Sequence, residues 1–273
     1  MPKKRRHLPL LYLYLTSVSL MMLTPILLMG KISVSHPADI LQPHKEIFWG
    51  PAGLTLEHWR AVFTAGLLWP SLGKSLLVAT LVMVLAILIA APAAYVLARL
   101  GSAWKYLCMV SLFLSRAFPE VAIALPVSVV FLRWNLLDTS FGLILAHLIK
   151  VLPYVAWILI GTFETIPRAL EEASAVDGAS KLRTLRTVII PLARSGLAVA
   201  AMLAWLESWN EFTYALYLSM SEYTLPLRTY YYVSRGSIFH SAAYATIITL
   251  PVIAVTFVLQ RRITSDMLAG GVK

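Results

Sequence analysis

The chain of 273 residues is 59% hydrophobic and only 13% charged, with a mean hydropathy of +0.76, a balance that excludes a soluble globular domain and points to the membrane. Cys108 is its single cysteine, so neither an internal disulfide nor a cysteine metal cluster can form. The net charge of +10 is accounted for by membrane topology and calls for no nucleic-acid partner.

Six apolar stretches are long enough to cross a hydrocarbon core that needs about 20 helical residues. They run from Leu8 to Met29, Leu72 to Leu97, Trp104 to Leu132, Phe141 to Phe163, Ser195 to Leu218 and Ala242 to Leu259. The fold class expected is therefore an all-α integral membrane protein with six transmembrane helices. Lys3-Lys4-Arg5-Arg6 precede the first stretch, which is longer than the apolar part of a signal peptide and lacks a small-residue cleavage site after it; it reads as a retained helix. Fourteen Lys and Arg then fall on the cytoplasmic side and seven outside, which puts both termini in the cytoplasm.

This gives a basic N-terminus over residues 1–7, a six-helix domain over 8–262 and a tail over 263–273. In the external segment 30–71, Pro37, Pro43, Gly50 and Pro51 interrupt the chain, and the run from Leu54 to Trp59 opens a short interfacial helix. Trp49, Trp59 and Trp69 suit headgroup depth. Pro119, Pro126 and Pro153 free backbone carbonyls that only protein or a cavity can satisfy, so the third and fourth helices are expected to face inward.

The loop 164–194 is a polar helix-turn-helix island. Pro167 suits a first helical turn, after which Ala169, Leu170, Ala173 and Val176 share one face. Asp177-Gly178 stops that helix, and Ser180 is placed to cap a second one with Leu182, Leu185 and Ile189 as its apolar stripe, ending at Pro191. Two short amphipathic helices outside the bilayer need a surface to cover them.

Ionisable groups within the apolar stretches are few: Arg116, Glu120, Lys150, Glu207 and Glu211. Facing lipid would cost each several kcal/mol, so they are expected to face the bundle interior, a partner or water. Glu120 lies one helical turn after Arg116 and is placed to neutralise it. Cations left without a partner would favour an anionic cargo, such as an acidic saccharide or a sugar phosphate. The sequence has no Gly-x-x-x-x-Gly-Lys-Ser/Thr loop, no His-Glu-x-x-His and no Gly-x-Ser-x-Gly, so neither ATP hydrolysis nor metal or serine catalysis is expected of it.

Glu172, Ala173, Gly178 and Pro191 stand where the EAA loop of ABC importer permeases has its Glu-Ala-Ala, Gly and Pro, and Asp177 before the Gly resembles the carbohydrate branch. Ser174 departs from the second Ala, small for small. Glu207-Ser208-Trp209-Asn210-Glu211-Phe212 resembles the Trp-Asn-Glu/Asp-Phe/Tyr signature of the fifth helix of sugar permeases, and the run from Leu54 to Trp59 a Thr-Leu-Glu-Asn-Tyr-like segment of that family. The tail from Arg261 to Lys273 is similar to the endings of maltose-type second permeases.

The resemblance implies one permease subunit of an ATP-driven bacterial importer for a sugar or oligosaccharide, an acidic one included, in the inner membrane. It implies a second homologous permease, two ATPase subunits or a homodimer of one, and an external solute-binding protein as partners, with ATP and Mg on the ATPases and no cofactor on this chain. Leu170, Glu172, Ala173, Val176, Asp177, Gly178 and Pro191 would couple to the ATPases. Arg116, Glu120, Lys150, Trp209, Asn210, Glu211 and Tyr214 would be candidates for the substrate pathway, with interhelical polar contacts as the plainer role for Asn210. The tail, too small and flexible for an independent helix, would insert between the ATPase subunits. A proton-coupled carrier using Glu120, Glu207 and Glu211, and a membrane scaffold with no transport role, are the readings to be weighed against it.

Overall fold

A computed structural model describes residues 8–41 and 52–270, with side chains over 10–40 and 52–257. The basic residues 1–7, Pro43, Trp49, Gly50 and Pro51, and Gly271, Val272 and Lys273 lie outside the described residues. In chain order the helices are α1 (Leu8–Val34), α2 (Pro37–Leu41), α3 (Glu57–Thr64), α4 (Leu68–Arg99), α5 (Ser102–Leu114), α6 (Glu120–Arg133) and α7 (Ser140–Glu164). The island between the fourth and fifth expected spans holds α8 (Ala169–Val176) and α9 (Lys181–Thr184), which passes through a π-helical turn (Leu185–Ile189) into α10 (Ile190–Leu192). Then follow α11 (Arg194–Trp209), α12 (Thr213–Leu218), α13 (Leu225–Ser234) and α14 (Ile238–Gly270).

The chain groups into two units, residues 1–69 with 228–250 and residues 70–227 with 251–273. In the first, α1 presents apolar side chains all round, and none of its apolar window is buried. The expected interfacial helix forms as α3 and is tied to the end of α1. Trp59 Nε1 donates to Ser33 Oγ at 3.2 Å, the Thr55 amide donates to the Val34 carbonyl at 2.8 Å, and His58 Nε2 lies 3.2 Å from the Ser35 carbonyl. Trp59 is thus held by protein, while Trp69 remains 59% exposed. The His58 ring stacks on Phe239, and His240 stacks on Tyr232, which stacks in turn on Tyr244.

The second unit is built on α7, whose buried residues include Leu143, Ala146, Val151, Val155, Leu159 and Phe163, and which packs against α11 and α12. Buried alanines at four-residue spacing on α4, Ala86, Ala90, Ala94 and Ala98, contribute the small-residue surface that membrane helices use for close approach. The turn into α7 allows only glycine at position 142, because a Cβ there would meet the Leu136 carbonyl oxygen. Thr139 caps the helix by accepting the Gly142 amide at 2.9 Å.

Two expected spans are broken. The stretch from Trp104 to Leu132 divides into α5 and α6 around Pro119, the N-cap of α6, because the residue before a proline is pushed out of the helical region. The stretch from Ser195 to Leu218 divides into α11 and α12 at Asn210, Glu211 and Phe212. Within this chain α7 is enclosed, as expected, whereas α5 buries no residue and α6 buries only Ala124 and Phe131. Helix α14 continues to Gly270, so residues 263–270 of the tail extend it and make no separate element.

The segment after α12 is pinned by Asp138, which sits in the left-handed region at φ 60° in the α6–α7 loop, a conformation Asp tolerates. Its carboxylate accepts the Met220 amide at 2.8 Å, the Ser221 amide at 3.1 Å and the Ser221 hydroxyl at 2.6 Å. Partial burial pushes this carboxyl up, but the Ser221 and Met220 bonds and the Lys74 charge outweigh it and hold Asp138 below the usual carboxylate range. A depressed folded value means stability that is present above the unfolded value, near 3.9, and lost as pH falls through the folded one. Asp138→Asn should therefore cost about 1 kcal/mol at pH 7 and less at pH 2, read as the thermal midpoint of the solubilised protein; an equal deficit at both pH values would refute the charge-based account.

Candidate functional site

The island between α7 and α11 has inverted polarity. Helix α8 ends in a Schellman motif: the Gly178 amide donates to the Ala175 carbonyl at 3.0 Å and the Ala179 amide to the Ser174 carbonyl at 3.0 Å, with Gly178 at φ 76°. Ser180 then caps α9, accepting the Arg183 amide at 3.4 Å. The two helices are fastened by Ser174 Oγ and buried Thr184 Oγ1 at 2.9 Å, so the serine that departs from the triplet serves as the tie. The second helix runs one residue past the expected end at Pro191, closing at Leu192 in α10. The π-helical turn precedes it, and a bend of 78° at Ala193 leads into α11.

What faces inward on α8 is polar. Glu171 accepts from Arg99 Nε at 2.6 Å and from the Tyr95 hydroxyl at 2.7 Å. Arg99 also donates to the Phe163 and Ile166 carbonyls at 3.0 and 3.1 Å, the backbone groups left open where α7 ends, and Arg168 donates to the Arg99 carbonyl. What faces outward is mostly apolar, with Glu172 its one carboxylate: Leu170 is 40% exposed, Val176 87%, and Ala173 lies open beside Glu172. A groove of about 440 Å³ runs between the end of α4 and the island, lined by Val96, Leu100, Arg99, Glu172 and Lys181.

The intramembrane charges come together in the second unit. Lys150 on α7 reaches Glu120 at 2.9 Å and Glu207 on α11 at 3.7 Å; Arg116 reaches Glu207 at 3.9 Å and lies over the Tyr154 ring, 5.4 Å from its centroid. The expected Arg116–Glu120 pair is thus corrected: residues 115–119 form a turn, the i, i+4 geometry is lost, and Glu120 goes to Lys150. Two cations and two carboxylates balance, so the surplus positive charge that would favour an anionic cargo is absent from this cluster.

The fifth-helix signature is a helix break that satisfies itself. Glu211, 1% exposed, accepts the Tyr214 amide at 2.8 Å and the Ala215 amide at 3.1 Å, closing the open N-terminus of α12. His147, fully buried on α7, lies with Nδ1 2.8 Å from Ser208 Oγ and Nε2 3.1 Å from Glu211 Oε2, ion-pair range though off the line of a good hydrogen bond. Trp209 is buried and stacks on Trp205 at 4.8 Å, Tyr214 is buried, and exposed Asn210 donates to its own helix at the Leu206 carbonyl. Of the candidate pathway residues, then, Arg116, Glu120 and Lys150 form one partly open cluster, while Trp209, Glu211 and Tyr214 lie in packed protein.

Arg99, Glu171, Tyr95 and His147 were not singled out from the sequence. The first counted only as a cytoplasmic charge, and Glu171 was passed over for its neighbour; the helical phase of α8, with Leu170 outside, already put Glu171 on the opposite side. Glu171→Ala, which strands the Arg99 guanidinium, should cost about 1–3 kcal/mol and lower the thermal midpoint, whereas Glu172→Ala on the exposed side should leave it near wild type. Equal losses would mean that Glu171 does not anchor the island.

The chain matches the family of binding-protein-dependent transport system inner membrane components over residues 83–268. It is 38% identical over 227 residues to a putative ABC transporter permease protein ORF1 of Streptomyces antibioticus, covering 82% of this chain and 99% of the relative. The trehalose transport system permease protein SugB of Mycobacterium tuberculosis is 32% identical over 260 residues, 92% of each chain, and the sulfoquinovosyl glycerol transport system permease protein SmoH of Agrobacterium fabrum is 32% identical over 233 residues, 84% of this chain and 82% of the relative. The fold is shared with a bacterial ABC transporter involved in the import of the acidic polysaccharide alginate, at a TM-score of 0.76 and 23% identity over 96% of this chain and 98% of that one. With broken and continuous apolar helices around a polar island, and a match over most of its length, the chain belongs to the inner-membrane permease components of binding-protein-dependent ABC transport systems.

Proposed function

We propose that this chain is one of two permease subunits through which a bacterial importer passes a sugar or oligosaccharide, driven by ATP hydrolysed on partner subunits. The observation that carries the coupling part is the outward apolar face of α8. Leu170, Ala173 and Val176 are exposed while Glu171 and Ser174 turn inward to hydrogen-bonded partners. Ordinary amphipathic packing does the reverse, and an apolar face in water is stable only when covered. A groove on a cytoplasmic ATPase subunit is the partner that fits, with Glu172 beside the apolar face reaching a basic group.

The carbohydrate part draws on the relatives named for trehalose and sulfoquinovosyl glycerol. The balanced cluster of Arg116, Glu120, Lys150 and Glu207 gives no preference between neutral and acidic sugars. In this reading both termini are cytoplasmic, ATP and Mg sit on the ATPases, a solute-binding protein docks outside, and ATPase closure moves the island so that the permease pair changes from inward to outward access. The proton-coupled carrier alternative finds no support among the relatives.

The test is reconstitution with the partner subunits in proteoliposomes. Val176→Asp should weaken co-purification of the ATPase. Gly178→Pro and Glu172→Lys should abolish uptake, and with it stimulation of hydrolysis, at normal membrane-domain yield. Full uptake in these variants would remove the island from coupling.

A further inference from the structure

Helix α7 is the most enclosed of the long apolar helices among the described residues, with 61% of its apolar window buried. In its second half, the three exposed residues Trp157, Gly161 and Glu164 continue a stripe begun by the half-buried Lys150 and Tyr154. The spacing of four, three, four and three residues keeps all five on one face, over about 21 Å of helix at 1.5 Å per residue. The stripe contains no aliphatic side chain, and a charged residue stands at each end of it, a composition costly to turn toward lipid.

An ion pair closes each end: Lys150 with Glu120 and Glu207 at one, Glu164 with Lys105 at the other. Between them the Tyr154 and Trp157 rings lie 6.3 Å apart at a tilt of 30°; Arg116 lies over Tyr154 and the Phe113 ring meets Trp157 in a T-shaped contact at 5.8 Å, which leaves Trp157, 46% exposed, the more open of the two. Beyond Trp157 the wall opens, for a Cβ on Gly161 would meet nothing within 4 Å, and a groove of about 310 Å³ runs beside Trp157, Gly161 and Glu164. That volume is at the lower end of small-molecule sites, about 300–1,000 Å³. Sugar rings combine apolar C–H faces, which lie on aromatic rings, with hydroxyls that bond to charged side chains; the stripe supplies aromatic rings in the middle and charges at its ends.

We propose that this stripe of α7 is a stacking track for a saccharide in transit, with Tyr154 and Trp157 as its platforms, the flanking ion pairs as hydroxyl partners, and Gly161 keeping the way open. The choice of saccharide rests on the function proposed above; the wetness of the stripe does not. In a Cys108→Ser background, single cysteines at 154, 157 and 161 of the reconstituted importer should react with a charged, membrane-impermeant methanethiosulfonate at least tenfold faster than cysteines at buried Val155 or Leu159. Reaction at control rates would place the stripe against lipid or the second permease and overturn the track. For trehalose or maltotriose, whichever the wild type carries, Trp157→Ala should raise KM about tenfold at unchanged complex yield, Trp157→Phe should recover most of that loss, and Gly161→Trp should block uptake. An unchanged KM in Trp157→Ala overturns the stacking role. If the wild type carries neither sugar, the carbohydrate assignment fails by itself, while thiol reactivity still decides whether the stripe is wet.

Discussion

Hydrocarbon offers no hydrogen-bond partner, so every polar group at membrane depth must be answered by the protein itself or by water along a path. Most of the second unit follows from this. The break after Trp209 opens the N-terminus of α12, and the Glu211 carboxylate fills it; His147 stands in ion-pair range of that buried carboxylate and is itself met by Ser208. Each step is local, yet together they lock α7, α11 and α12. The same logic explains why Lys150 has two carboxylates within reach and why Arg116 also rests on an aromatic ring, a contact whose value rises when water is withdrawn.

At the island the polarity is reversed. There the protein spends its polar groups on internal attachment: Arg99 joins the ends of α4 and α7 to Glu171, and Ser174 joins α8 to α9. With its polar side used in this way, α8 presents a mainly apolar side, on which Glu172 is the one charge. A rigidly anchored, sticky surface is what a part needs if it is to receive force from a neighbour without unravelling.

Length and hydropathy made the long helices legible, since burial in lipid rewards apolar side chains additively, and α4, α7 and the body of α14 lie where the expected spans put them. Hydropathy is blind to where backbone bonding stops, so the breaks at Pro119 and at Asn210 were missed although both carry local signals. Within the site, Gly178 and the Ser180 cap were readable because a left-handed turn and an open helix end each demand particular residue types. The pairings were not: Glu120 meets Lys150 across a fold in the chain, and only three-dimensional packing brings 120, 150 and 207 together. Helical phase alone separated Glu171 from Leu170, and the choice of Glu172 over it followed a family pattern that concerns the outer face.

The 78° corner at Ala193 makes a bell crank of α9, α10 and α11. Thirteen residues of α11 separate Arg194 from Glu207, an arm of about 20 Å, so a tilt of about 5° at the corner swings the carboxylate by about 1.7 Å. Glu207 stands 3.7 Å from Lys150 and 3.9 Å from Arg116, close to midway between two cations. A displacement of that size would hand it from one to the other, so in the coupling proposed above a small push on the island would be felt deep in the membrane as an exchange of electrostatic partner rather than as the loss of one.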